Sequence, residues 1–241
     1  MKLAFATIGE APRDDLVPYL LSQLPPGIEI EEDGVLNHLD DAGRRGLDAG
    51  DDSLHMVTRD RGGEAYRLSY ERTLPQMQRV VDGLVERGAD LVVILCGADW
   101  SPVTARVPIV NPGRLFPNLI QALGSGLKLG VIKPDEAQIP YTVRQYRDEL
   151  GLDPVVTAAS PYAEDRSDRL RRAAGELRDG GAELIWMTCV GMSEDDRATV
   201  RAVHSRPTIL ARSILARVIA ELVDVTALQP EPAVAVKGVS A

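Results

Sequence analysis

The chain carries two cysteines, Cys96 and Cys189, and they stand at matching places of an internal repeat. Gly88-Ala89-Asp90-Leu91 and Val92-Val93-Ile94-Leu95-Cys96 align without a gap onto Gly181-Ala182-Glu183-Leu184 and Ile185-Trp186-Met187-Thr188-Cys189, at a constant offset of 93, and Leu84 falls on Leu177. Each copy reads as a helix end, a glycine C-cap, an acidic residue, a buried strand and a cysteine at the strand's carboxyl end. Sites in open parallel sheets form outside those carboxyl ends, so two symmetry-related halves bring both thiols to one cleft. Opposed thiols suit a carbon acid: one removes the proton beside a carboxylate and the other returns a proton on the opposite face. A thiolate serves as base once backbone N–H groups and helix N-termini lower its pKa from about 8.5. Gly97 and Gly191 would let such amides approach, and the same amides would stabilise an enediolate-like intermediate without metal or organic cofactor. The competing reading is that each cysteine is a small buried hydrophobe, the common state of a free Cys; their matched positions favour the functional one.

Other residues have a binding role and a plain alternative side by side. Arg13 follows the first strand and suits a bidentate carboxylate contact, or else pairs with Asp14 or Asp15. Thr7 and Gly9 either shape an anion-binding nest or make an ordinary β-to-α turn. Gly97, Ala98 and Asp99 follow the first cysteine, with Asp99 placed to orient a substrate ammonium, act on Cys96 or close a turn. Val190 and Gly191 follow the second cysteine. Pro134, Glu136 and Gln138 begin the second half where Thr7–Arg13 begins the first, with Glu136 read as a favourable N-terminal helix charge. Ser193 with Asp196 reads as a capping box. Trp186 belongs to the core, Trp100 lines either pocket or core, and Arg59 and Arg61 either reach the cleft or are solvated.

The elements that must hold these residues are legible as a βα alternation. Continuous apolar runs at Lys2–Ile8, Ile28–Leu36, Leu91–Leu95, Val107–Val110, Leu127–Ile132, Val155–Ala158, Leu184–Met187 and Thr208–Leu210 predict parallel strands covered on both faces. Helical stretches separate most of them, at Asp14–Gln23, Tyr70–Arg87, Leu115–Leu123, Glu136–Leu150, Asp165–Asp179, Ser193–His204 and Arg212–Val223. Leu39–Leu68, rich in Asp, Gly and Arg, breaks the rhythm and predicts an insertion with a short helix and a hairpin at the edge of the site. Lys2-Leu3-Ala4-Phe5 echoes Lys128-Leu129-Gly130-Val131. The fold class is therefore α/β with two pseudo-symmetric lobes, each a parallel sheet flanked by helices, around a central cleft. The first lobe is expected over residues 1–124, completed by 207–225, the second over 125–206, and a loosely held tail over 226–241.

A length of 241 residues with 44% hydrophobic and 4% aromatic content suits layered helix-on-sheet packing. A net charge of −9 without a dense Lys/Arg run argues against nucleic acid as a partner. No run of about 18 apolar residues suggests a membrane span, and no signal-like leader is evident, so the expectation is a cytoplasmic protein with free thiols. No metal is expected: His38, His55 and His204 are scattered and no CxxC occurs. No nucleotide motif follows a strand. Of the four lysines, Lys2 and Lys128 open strands and Lys237 lies in the tail, leaving Lys133 as a weak basis for a pyridoxal-phosphate Schiff base. A symmetric homodimer is the default assembly.

Thr7-Ile8-Gly9-Glu10-Ala11-Pro12-Arg13-Asp14-Asp15, Thr104-Ala105-Arg106, Gly130-Val131-Ile132-Lys133-Pro134 and Cys189-Val190-Gly191 together resemble AroM-like proteins over about residues 2–223. AroM-like proteins are similar to the aspartate/glutamate racemase superfamily, with its hydantoin racemases, maleate isomerases and arylmalonate decarboxylases. The resemblance implies a two-lobed pseudo-symmetric fold and cofactor-independent chemistry on a small carboxylate-bearing substrate. Carried over by residue, Cys96 and Cys189 match the superfamily's paired cysteines, and the turns after them match its carboxylate-binding loops. The sequence departs from that pattern at Gly97 and Val190, where substrate-binding hydroxyls are often found. Racemase or isomerase, one-cysteine decarboxylase, and inactive carboxylate binder or sensor all remain open.

Overall fold

The computed structural model describes residues 1–50 and 54–223. Two four-stranded parallel sheets carry the fold. The first is built from β1 (Lys2–Thr7), β2 (Glu29–Gly34), β5 (Leu91–Ile94) and β6 (Ile109–Val110), in the order β2-β1-β5-β6. The second contains β7 (Leu129–Lys133), β8 (Val155–Ala158), β9 (Leu184–Met187) and β10 (Thr208–Leu210), in the order β8-β7-β9-β10. The two orders superpose strand for strand. The expectation that 207–225 completes the first lobe is thus corrected for its strand: β10 pairs with β9, Ile209 opposite Trp186, as the counterpart of β6. The expected tail over 226–241 lies outside the described residues.

The internal repeat is a repeat of backbone chemistry. Helix α3 (Tyr70–Glu86) precedes β5 and α6 (Arg166–Asp179) precedes β9. Each ends in a glycine of positive φ, +93° at Gly88 and +75° at Gly181, a conformation that a Cβ disfavours. The following amide reaches back to the last helical turn in both copies, Ala89 N–H to Leu84 O at 3.1 Å and Ala182 N–H to Leu177 O at 2.9 Å, which closes a Schellman motif. The next acidic residue then caps the neighbouring strand: Asp90 Oδ2 accepts from Lys2 N–H at 2.8 Å and Glu183 Oε2 from Lys128 N–H at 2.9 Å. These paired contacts set the register of β5 on β1 and of β9 on β7, and so the height at which each cysteine leaves its sheet.

Alternation along the strands divides the interior into three cores. Leu3 and Phe5 of β1, Leu91 and Val93 of β5, Leu129 and Val131 of β7, and Leu184 and Trp186 of β9 share one central core. Their neighbours Ala4, Ala6, Val92 and Ile94 face an outer core under α3, and Ile132, Ile185 and Met187 face another under α6. Such two-sided burial explains the continuous apolar runs. The helices after the fourth strands exchange sides: α4 (Pro112–Gly124) places Phe116 against Trp186 of the second sheet, ring centroids 5.2 Å apart, whereas α8 (Ala211–Val223) packs on α1 (Val17–Leu21) of the first. Remaining helices are α5 (Ile139–Leu150) and α7 (Glu194–Val203).

Two helix predictions shorten. The segment 14–16 forms turns, so α1 begins only at Val17, with Pro18 in its first turn and no side-chain cap. Glu136–Gln138 makes a separate 3₁₀ turn capped by Asp135, whose side chain accepts from Ala137 N–H at 2.9 Å. The insertion folds as expected, into α2 (Asp41–Gly46) and a hairpin of β3 (His55–Arg59) and β4 (Ala65–Ser69). Among the described residues no helix is long and apolar enough to cross a membrane.

Candidate active site

The carboxyl ends of β1, β5, β7 and β9 converge on one cavity of about 260 Å³. Cys96 and Cys189 both line it, each two residues beyond the end of its strand. Cys96 is buried and Cys189 partly so, and neither forms a disulfide. The turn after each cysteine folds back so that the amide two residues on serves the sulfur: Gly191 N–H donates to Cys189 Sγ at 3.4 Å, and Ala98 N–H stabilises the Cys96 thiolate. The offset of 93 therefore extends through these turns. Gly191 leaves room for this approach, since a Cβ there would lie 2.8 Å from Tyr162 Oη and 3.3 Å from Cys189 Sγ and would push those side chains aside.

Burial nonetheless dominates the thiol electrostatics, and it reverses the expectation of lowered thiol pKa values. Loss of hydration pushes Cys96 up to about 11, against the Ala98 amide, the Trp100 indole N–H and the Lys133 charge. Burial likewise raises Cys189, opposed by the Gly191 amide and by Arg13, Lys133 and Arg212. Trp100 is itself core, 1% exposed, and does not line the cavity.

The predicted binding residues separate into a lining and a supporting layer. Arg13, Gly97, Ala98, Asp99, Pro134 and Val190 line the cavity. Thr7, Gly9 and Gly191 stand behind it. Thr7 Oγ1 accepts from Gly9 N–H and from Arg13 Nη1, both at 3.1 Å. Arg13 is 4% exposed and takes the pairing alternative, donating through Nε and Nη2 to the two oxygens of Asp15 at 2.9 Å each. Although burial opposes ionisation of Asp15, Arg13 and Arg59 hold its carboxyl below the usual range. Asp99 closes a turn, accepting from Ser101 Oγ at 2.6 Å and from Asn111 Nδ2 at 3.0 Å. The predicted capping box of Ser193 and Asp196 forms at α7, and Arg212 Nε donates to Val190 O at 2.9 Å, fixing the turn behind Cys189.

The hairpin closes one side. Leu54 through Thr58 line the cavity, and His55 O accepts from Gln138 Nε2 at 2.8 Å while His55 Nε2 lies 3.0 Å from Asp135 Oδ2. A segment inserted in the first half is thereby tied to the second. Arg59 packs on the Tyr162 ring at 5.7 Å and lies 3.3 Å from Asp15, so it is not merely solvated; the Arg61 backbone N–H donates to Glu10.

Lys133, Gln138 and four tyrosines, Tyr70, Tyr141, Tyr146 and Tyr162, also line the cavity; Gln138 was weighed by sequence as part of the counterpart of the Thr7–Arg13 loop, whereas Lys133 and the tyrosines were not assigned to the cavity. Lys133 had a signal: with Lys128 laid on Lys2 it falls on Thr7, at the carboxyl end of the equivalent strand. The tyrosines had none, because the start of α3, helix α5 and the loop after β8 carry no motif. Among the described residues no group of three or more His, Cys, Asp or Glu is placed to hold a metal ion.

A family model described as AroM protein matches residues 3–223. No curated protein matches the sequence. Among solved structures, aspartate racemase from Picrophilus torridus is similar with a TM-score of 0.58 at 11% identity, over 92% of this chain and 94% of that one. Maleate isomerase from Pseudomonas putida S16 aligns with a TM-score of 0.57 at 14% identity, over 93% and 94%. Allantoin racemase from Klebsiella pneumoniae aligns with a TM-score of 0.58 at 12% identity, over 92% and 87%. At these identities the likeness is one of fold.

Proposed function

The chain belongs to the AroM family, and from that premise we propose that it is a cofactor-independent racemase, epimerase or isomerase acting at a carbon next to a carboxylate, with Cys96 and Cys189 as the acid/base pair. The observation that carries this reading is that both cysteines line one cavity from equivalent strand ends of two pseudo-symmetric sheets. In the reaction one thiolate takes the α-proton, the C–H electron pair moves into the carboxylate as an enediolate, and the other thiol returns a proton from the opposite face. The enzyme ends with thiol and thiolate exchanged. Cys189 is the better first base, because an amide and three cations favour its thiolate. A cytoplasmic setting, which keeps thiols reduced, belongs to the same reading.

Amino acids, hydantoins, dicarboxylates and aryl carboxylates incubated in D₂O should include one that gains solvent deuterium at its stereocentre, read by NMR. Exchange should accelerate with alkaline pH as thiolate forms, and Cys189→Ser should slow it by about 10²-fold or more, the scale of a general base. Exchange undiminished in both Cys96→Ala and Cys189→Ser would sink the thiol mechanism. A second reading, a carboxylate-binding protein without turnover, draws on the missing hydroxyls at Gly97 and Val190 and on the burial that keeps both thiols protonated. It predicts binding without exchange for every member of the panel.

A further inference from the structure

Among the described residues, the cavity holds one cation with no carboxylate on it, Lys133. Lys133 ends β7, beside the strand that leads to Cys189, where Thr188 N–H bonds to Ile132 O at 3.2 Å. The charges acting on it are those of the two cysteines. The guanidinium of Arg13, by contrast, is bound on both arms by Asp15, and His55 faces Asp135. Among the described residues, an anion entering the cavity thus meets one lining cation, Lys133, that no carboxylate pairs. Desolvation of an unpaired ammonium is costly, and a ligand carboxylate offsets that cost.

A second unsatisfied group lies nearby. Gln138 is 8% exposed, lines the cavity, and its Oε1 has no hydrogen-bond partner. The amide cannot be reversed to cure this, because Nε2 donates to the His55 carbonyl at 2.8 Å and a carbonyl only accepts. Oε1 therefore waits for an N–H or O–H donor.

The walls set the rest of the ligand. The chain has six Tyr, two Trp and two Phe, and six of these ten line this one cavity: Tyr70, Phe116, Tyr141, Tyr146, Tyr162 and Trp186. Aromatic walls favour an aromatic ring over a second charge.

Resting on the carboxylate reading above, we infer that the cavity selects an aromatic monocarboxylate bearing a hydrogen-bond donor, with Lys133 holding the carboxylate, Gln138 Oε1 accepting from the donor and the aromatic walls taking the ring. An aliphatic dicarboxylate would leave its second carboxylate against aromatic rings and an Arg13 already paired with Asp15.

The test is direct binding, by calorimetry, to Cys96→Ala/Cys189→Ala protein, so that turnover plays no part. The probes are mandelate, phenylacetate without the hydroxyl, 1-phenyl-1,2-ethanediol without the carboxylate, and aspartate without the ring. Mandelate should bind at least tenfold tighter than each of the others. Lys133→Met should weaken mandelate about 10- to 100-fold, the scale of a charge-assisted hydrogen bond, and leave the diol unchanged. Gln138→Leu should remove the preference for mandelate over phenylacetate. Aspartate binding as tightly as mandelate, binding of neither, or mandelate affinity unchanged in Lys133→Met overturns the inference. Deuterium exchange into aspartate with no binding of mandelate would overturn it while leaving the acid/base reading intact, and mandelate binding without exchange would do the reverse.

Discussion

Cys96 and Cys189 occupy matching positions in unequal fields. Each receives one backbone amide, but Arg13, Lys133 and Arg212 all act on Cys189, whereas Lys133 is the cation acting on Cys96 and the Cys189 charge opposes its ionisation. Like charges in one enclosed site cannot both ionise easily, so the thiolate forms first at Cys189 and suppresses a second at Cys96. Iodoacetamide alkylation followed by peptide mass spectrometry should find Cys189 modified about tenfold faster than Cys96 at pH 8, with both rates climbing into the alkaline range. Lys133→Met should slow Cys189 by removing one of its cations. Equal rates, or Cys96 reacting first, would refute the asymmetry. The sequence placed both cysteines through the repeat, yet it held Arg13 between two fates; the choice depended on Asp15, two residues on, folding back within reach. Tyr162 was invisible because it enters from a loop whose sequence carries no periodicity, and its Oη reaches Arg13 only at 3.4 Å across the cavity.

Among the elements, the hairpin walls one side of the cavity. Its existence was legible as a break in the βα rhythm, but its docking was not, since that depends on tertiary contacts: His55 to Asp135, Gln138 to the His55 carbonyl, and Arg67 Nε to Asp135 at 3.1 Å. Gly9 permits the approach from the other side. A Cβ at this position would lie 2.4 Å from Thr58 Oγ1 and 2.7 Å from the Arg59 carbonyl oxygen, and the second contact is with backbone, which no rotamer change relieves. Gly9→Ala should therefore push the hairpin outward at a cost of about 1–3 kcal/mol, the usual range for overpacking. A fall in Tm and faster proteolysis between residues 59 and 65 would register it, and Thr58→Ala should restore only part of the loss. An unchanged Tm with unchanged proteolysis would mean that the hairpin does not bear on Gly9. The sequence offered this glycine either as part of an anion-binding nest or as an ordinary β-to-α turn; the structure adds that its missing Cβ admits the wall of the cavity.

Across the whole molecule, the two halves repeat strand order, Schellman caps and acidic strand-end contacts, and this symmetry was readable because every part of it has a local signature. The exchange of α4 and α8 between the sheets was not, because an amphipathic helix does not name the sheet that it will cover. That exchange makes the central core common to both halves and places Phe116 and Trp186 at the cavity floor, so the halves should unfold together rather than in turn. The cavity then gives folding a particular pH dependence. Free thiols ionise near pH 8.5 and free phenols near about 10, but burial holds Cys96 protonated to about 11 and Tyr162 to about 12, and it also raises Cys189, Tyr70, Tyr141 and Tyr146. Between those limits the unfolded chain has released protons that the native chain retains, so the unfolded state binds fewer and stability falls as pH rises. Below about pH 8.5 these groups are protonated in both states and their contribution is fully present. Thermal unfolding followed from pH 7 to 11 should keep a single transition whose Tm declines above about pH 8.5. Cys96→Ala should flatten the first part of that decline in part, because one of the two thiols with the earliest unfolded ionisation is gone while Cys189 remains; a Tm that stays level to pH 11, or a decline unaffected by the substitution, would show that Cys96 is not held protonated by its burial.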